Sequence, residues 1–197
     1  MNPMVAPPMT CGPNPSPEAV TRGTYPWFRP GRPARARWVR HTARMTNPVS
    51  VTREIAASPE RVWAMVTDLP RMGEWSPENQ GGVWTGGAAG PAVGARFKGK
   101  NRNGRRSWSS SVKVTVCDSP RTFSFALMGL GKNWCDWVYD IEPTATGCVV
   151  THSWIDHRGK FAGVIGGVIS GVPDRATHNR GNMEVTLENL ARAAPQE

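Results

Sequence analysis

Apolar and polar residues alternate from Val49 to Ala56, with Val49, Val51, Arg53 and Ile55 on one side and Ser50, Thr52 and Glu54 on the other. That period of two predicts a half-buried strand. The pattern then changes. In "SPERVWAMVTDLP", Val62, Trp63 and Val66 mark one face of a helix; Ser58 suits its N-cap, Pro59 its first turn and Glu60 its positive end. Pro70 stops this helix, and a short turn through Met72 leads into Glu74 and Trp75. Short alternating stretches follow, separated by turn residues. Strands are expected at Gly81–Thr85, Ala95–Arg102, Trp108–Cys117, Arg121–Leu127, Asn133–Glu142 and Cys148–Asp156. Asn103-Gly104 is a strong hairpin turn, and Asp118-Ser119-Pro120 and "PTATG" are further turns. From Pro173 onward, Ala176, Met183, Leu187 and Leu190 form one apolar stripe of a closing helix. The glycine-rich "FAGVIGGVISGV" before it reads as a first helical portion broken near Gly171 and Pro173, or as a loop that gates a cavity.

The expected order is strand, two short helices, six strands and a long C-terminal helix. Hairpin-joined strands are antiparallel, and a seven-stranded sheet with one buried face curls around the last helix. The fold class is therefore α+β, with the space between sheet and helix as the natural cavity. On the strand 133–142, the acids Asp136 and Asp140 share a face with Trp134 and Val138, which turns Trp137, Tyr139 and Ile141 inward. On the last strand, Val150, His152 and Trp154 oppose Val149, Thr151, Ser153 and Ile155, and alternation leaves both orientations open.

Composition changes the picture mainly at the N-terminus. The net charge of +9 over 197 residues points at first to nucleic acid. Residues 1–44, however, hold seven arginines against the single acid Glu18, with nine of the 18 prolines, and leave the rest of the chain only mildly basic. This segment has no helical or strand period and is expected to be disordered. Met45 is the better candidate for a start, so the domain is placed at 45–197. No specific nucleic-acid partner is expected, and no apolar run has the ~18 residues of a membrane span. Cys117, Cys135 and Cys148 show no CxxC spacing; they are expected as free buried thiols in a reducing compartment, hence the cytoplasm.

The motifs "VxREIAASPERVW", "DLPRMGEWSPE" (68–78), "GARFKGKNRNG" (94–104), Trp108, "WVYDIEP" (137–143) and "DRATHNRGNMEVTLE" (174–188) resemble the START-like (SRPBCC) superfamily of the polyketide cyclase/dehydrase and lipid transport type, in an actinobacterial branch. The resemblance covers residues 49–193. It implies the helix-grip fold, in which a curved antiparallel sheet wraps a long C-terminal helix. It implies no particular activity, because the fold hosts carriers, receptors, cyclases and proteins of unassigned role.

In such a fold the crossing "RMGEWSPENQGGVW" (71–84) lies at the cavity rim. Trp75 and Trp84 then bring buried area and indole donors, and Gly81-Gly82 a tight backbone. Glu78 has two readings: a ligand contact or acid/base group, or an ion pair pinning the crossing, with Arg102 or Arg105 as partner. The expected ligand-binding set is Trp75, Glu78, Trp84, Asn101, Trp108, Phe125, Trp137, Tyr139, His152 and Trp154, an aromatic lining with a few polar handles. The same rings also serve as plain core. Glu78, Tyr139 and His152 are the candidate catalytic groups should the cavity do proton chemistry; His152 reads equally as a structural histidine. Asp174 and His178, four apart, lack a third metal ligand and are expected as a helix-surface pair. No cofactor or metal is expected.

Three functions fit these residues: binding of an apolar or aromatic small molecule such as a lipid or polyketide, a cyclase or dehydratase on the same cavity, and a toxin-like or growth-modulating interaction protein. For the third, the basic hairpin "KGKNRNGRRSW" (98–108) would carry the contact, although such charges also deter edge-to-edge pairing.

Overall fold

The computed structural model describes residues 48–194. The expectations for residues 1–44 lie outside them. Val49–Ile55 (β1) is followed by the helix Pro59–Thr67 (α1) and a 3-10 helix, Leu69–Glu74. Six strands come next: Asn79–Thr85 (β2), Arg96–Asn103 (β3), Arg106–Asp118 (β4), Thr122–Gly129 (β5), Lys132–Pro143 (β6) and Cys148–Asp156 (β7). The helices Lys160–Ser170 (α2) and Arg175–Ala193 (α3) close the chain.

All seven strands form one antiparallel sheet in the order β1-β7-β6-β5-β4-β3-β2. Consecutive strands from β2 to β7 are neighbours, whereas β1 and β2 sit on opposite edges. The α1 and 3-10 helices carry the chain from one edge to the other, and that path lays them against the sheet. Register shifts in β2/β3, β4/β5 and β5/β6 insert bulges, which bend and twist the strands and help the sheet curl. This is the expected α+β helix-grip architecture.

Local chemistry explains the boundaries. Ser58 caps α1 by accepting from the Arg61 N–H at 3.2 Å, and Asp174 caps α3 through Thr177 N–H at 3.1 Å, each interaction of a kind worth about 1 kcal/mol. Gly171, with φ +72°, ends α2 in the left-handed conformation that separates it from α3. The broken-helix reading of this segment is thus the one realised. The Asn103-Gly104 hairpin forms one residue later than expected: Asn103 pairs with Arg106, and Gly104-Arg105 make the turn.

The core joins Val62 and Val66 of α1, Leu69, Met72 and Trp75 of the crossing, Val114, Phe123, Tyr139 and Val150 of the sheet, and Leu187 and Leu190 of α3. Cys135 and Cys148 are free and buried. Cys117 is disulfide-bonded, which corrects the expectation of a free thiol there. Among the described residues no helix is long and apolar enough to cross a membrane.

Candidate functional site

The crossing shows first why its sequence is so unusual. Gly81 has φ +73°, and a Cβ there would stand 2.5 Å from the Pro70 carbonyl oxygen. A Cβ on Gly82 would lie 2.6 Å from the Phe97 ring. The two glycines let β2 pass tightly over the 3-10 helix and the Phe97 ring, at the bulge where Asn79 Oδ1 accepts from the Gly81 N–H. Glu78 then points across to α3. Arg175 donates to both of its oxygens, at 3.0 Å each, and His178 Nε2 lies 2.8 Å from Oε1. The ion-pair reading of Glu78 is realised, but with Arg175 and His178 rather than Arg102 or Arg105. Arg102 meets Glu78 only through its backbone, its N–H donating to the Glu78 carbonyl. Asp174 and His178 accordingly have separate tasks, cap and crossing contact, and the described residues contain no cluster of three metal-ligating side chains.

Between sheet and α3 lies a cavity of about 140 Å³. Its sheet wall is aromatic and apolar: Phe97, Phe125, Leu127, Trp137, Tyr139 and Trp154, with Trp108 and Cys135. Its polar groups come from both sides, and Leu69, Met72 and Met183 add apolar surface opposite the sheet. Asn179, Asn182 and Thr186 come from α3, Glu78 and Arg175 from the ion pair, and Asn101 and Ser110 from β3 and β4, where the Asn101 amide donates to the Ser110 hydroxyl at 2.9 Å. A cavity of roughly 150 Å³ accepts a benzene-sized guest.

His152 is the exceptional residue of the lining. The inward face of β7 is Val150, His152 and Trp154, the choice that alternation left open. His152 is 4 % exposed, and neither ring nitrogen has a hydrogen-bond partner. Its ring stacks on Tyr139, centroids 3.9 Å apart and planes 15° from parallel, and lies 5.5 Å from Trp137. Burial pushes its pKa down to about 3, so at neutral pH it is an uncharged imidazole with one donor and one acceptor nitrogen. Burial also pushes the Tyr139 phenol well above its ordinary range. The Cys135 thiol rises to about 12, mainly through burial, with a hydrogen bond from Trp154 working against it.

Eight of the ten expected ligand-binding residues border this cavity. Trp75 and Trp84 do not. Trp75 is buried in the core under the crossing, where its carbonyl accepts from Asn189 of α3 at 3.0 Å. Trp84 packs edge-on against Phe97 at 5.2 Å. Both were placed at the rim by chain position, but the tight β2 turn directs their rings into packing. The polar α3 face was missed. Asn179 and Thr186 are buried and lie at helical spacing from Met183, so polar residues on the apolar stripe were the available clue. Arg158, also in the lining, is held by Asp156 through bonds of 2.8 Å and stands over the Trp154 ring.

Residues 46–195 match the family model described as "Polyketide cyclase / dehydrase and lipid transport". The chain belongs to this family. Among solved structures, the family member is similar to the Polyketide_cyc-like protein Cgl2372 from Corynebacterium glutamicum, at 28% identity over 74% of this chain and 89% of that one, with a TM-score of 0.52. The fold is shared with protein NE0264 from Nitrosomonas europaea, at 13% identity, 76% and 94% coverage and a TM-score of 0.55. It is also shared with the di-domain ARO/CYC StfQ from the steffimycin biosynthetic pathway, at 13% identity, a TM-score of 0.57, and coverage of 76% of this chain and 51% of that longer one. No curated protein matches the chain. Family and geometry agree on a helix-grip cavity capable of holding a hydrophobic small molecule.

Proposed function

We propose that the protein binds a small aromatic or largely apolar molecule carrying a hydroxyl or carbonyl group, with the ring against Trp137 and Tyr139 and the polar group at His152. The observation that carries this reading is the pair of unpartnered nitrogens on a buried imidazole beside the cavity. Burying such a group without a partner costs about 1–3 kcal/mol. A ligand hydroxyl or carbonyl offsets that cost, whereas a purely apolar guest leaves it in place.

Binding is favoured over proton transfer. A base with a pKa near 3 is mismatched to neutral pH, and Glu78, the other acid/base candidate, is occupied by Arg175 and His178. The similarity to the Corynebacterium glutamicum protein supports an actinobacterial branch. A cytoplasmic location is supported by the free Cys135 and Cys148 and opposed by the bonded Cys117; counting alkylatable thiols on protein taken directly from its host decides between them.

The test compares p-cresol with p-xylene, one-ring molecules of nearly equal shape, by NMR titration. The cresol should bind about tenfold more tightly, the equivalent of one net hydrogen bond of about 1.4 kcal/mol, and His152→Phe should erase the difference. Equal affinities for both probes in the parent protein would refute the role of His152. Absence of binding by either, together with an empty protein in native mass spectrometry, would refute the cavity reading.

A further inference from the structure

Helix α2 is amphipathic in the wrong direction for a core helix. Ala162, Ile165, Gly166 and Ser170 are half-buried or buried, while Phe161, Val164 and Val168, at i, i+3 and i+7, face solvent at 77%, 66% and 65% exposure, with Ile169 exposed beside them. A helix held by its own fold buries its large apolar side chains. Here Ile165 is the one large apolar side chain of the helix that is not exposed, and small residues make the other close approaches. A Cβ on Gly166 would stand 2.8 Å from the Arg158 guanidinium, and Ser170 donates back to the Gly166 carbonyl at 2.7 Å. The C-terminal end of α2 is strapped to the β3–β4 hairpin: the Asn103 amide donates to the Ser170 carbonyl at 3.1 Å, and Arg106 donates to that of Val168. The exposed apolar stripe is thus held in place without being covered.

The charge around it is of one sign. Asn103 paired with Arg106, Gly129 paired with Lys132, and Asp156 opposite Cys135 bring the β3–β4 turn, the β5–β6 turn and the exit toward α2 to the same end of the sheet. Residues 95–117, 119–135 and 157–173 contain no Asp or Glu. Arg105 and Lys132 are exposed on the two turns, and Leu130, 83% exposed, tips the second. Of the acids that border these segments, Asp136 and Asp156 are paired with His157 and Arg158, and Asp174, exposed beyond the end of α2, caps α3.

We propose that this end of the molecule docks on an anionic lipid surface, with Phe161, Val164, Val168 and Leu130 entering the interfacial layer and Arg105 and Lys132 meeting the headgroup charge. An exposed apolar helical stripe beside turns that carry exposed basic and no acidic side chains is the chemistry that such a surface recognises. The inference is independent of which ligand occupies the cavity. Arg158 connects the two places, since it borders the cavity and carries Gly166 of α2.

The experiment is co-sedimentation of the full chain with phosphatidylcholine vesicles containing or lacking phosphatidylglycerol, at low and high salt. The protein should pellet with the anionic vesicles, about tenfold less with phosphatidylcholine alone, and less again as salt screens the headgroups. The triple substitution Phe161→Ser, Val164→Ser, Val168→Ser should lower binding about tenfold, with thermal unfolding and p-cresol binding unchanged; Arg105→Glu with Lys132→Glu should remove the preference for anionic vesicles. The proposal is overturned if the parent stays in the supernatant with anionic vesicles. It is equally overturned if the triple variant binds like the parent, because the contact is then a charge effect that the arginines of residues 1–44 produce without α2. A dimer in sedimentation velocity that the triple substitution dissociates would assign the face to a second copy of the chain instead.

Discussion

Tyr139 and His152 lie directly opposite one another on β6 and β7 and stack face to face at 3.9 Å. Cross-strand pairing fixes both rings, so the imidazole is held flat against the phenol with no protein group reaching either nitrogen. His152→Phe keeps a flat ring in the stack and removes two unsatisfied polar atoms. The variant should be more stable than the parent by about 1–2 kcal/mol, read from the urea midpoint. An equally large loss would mean that the imidazole makes a bond that holds the fold.

The same residue gives the protein a pH-dependent stability with a definite sign. The folded pKa of about 3 lies below the ordinary 6.5, so below pH 6.5 the unfolded chain takes up a proton that the folded protein does not. Stability should fall with decreasing pH by about 1.4 kcal/mol per unit from this group, through the window from about 6.5 toward about 3. Carboxylates add their own slope at the acidic end, so the difference between parent and His152→Phe, measured from pH 7 to pH 5, isolates the histidine. Parallel curves would show that the imidazole protonates while folded.

Glu78 and Arg175 tie the crossing to the first turn of α3. Both side chains are mostly buried, at 15% and 17% exposure, so removing one leaves the other charged in a poorly solvated place. Glu78→Gln should destabilise by about 2 kcal/mol, and a double-mutant cycle with Arg175→Met should return a coupling of about 1 kcal/mol or more. Additive single effects would mean that the pair is only adjacent.

Gly82 is expected to resist even the smallest side chain. A methyl group there meets the Phe97 ring at 2.6 Å and the Lys98 carbonyl, and the ring is wedged against Trp84. Gly82→Ala should cost about 2 kcal/mol or more by overpacking and should separate β2 from β3. Hydrogen exchange across Asn79–Thr85 measures this, and unchanged protection would show that the ring moves aside freely.

Cavity volume gives one further expectation. Leu127→Trp should fill the space beside Phe125 and Trp137 and abolish p-cresol binding while the fold persists in circular dichroism. Binding that survives the filling would place the guest elsewhere.

Much of this architecture is local and therefore legible. Period-two runs, the Ser58 cap and the Gly104 and Gly171 turns follow from backbone sterics and hydrogen bonding within a few residues, whereas Asp174, expected in a surface pair with His178, caps α3. They set the strand order, the inward face of β6 and the helix breaks with errors of only one to a few residues at the ends. One buried face implied the curl of the sheet around α3, and the resemblance carried by "DLPRMGEWSPE" and the other motifs implied the same helix-grip arrangement.

The list of elements and the composition of their faces were thus written locally along the chain. Tertiary structure decided which long-range partners meet. Alternation on β7 is symmetric, and only packing against β6 and α3 turned His152 inward and left it unpartnered. Glu78 has arginines near in sequence, yet Arg175, almost a hundred residues away, closes on it because α3 crosses the same rim. Trp75 and Trp84 looked like lining by chain position, and three-dimensional packing placed them in the core and against Phe97. A side chain's chemical type is written in its own residue, whereas its partner depends on elements that meet only when the whole sheet has closed.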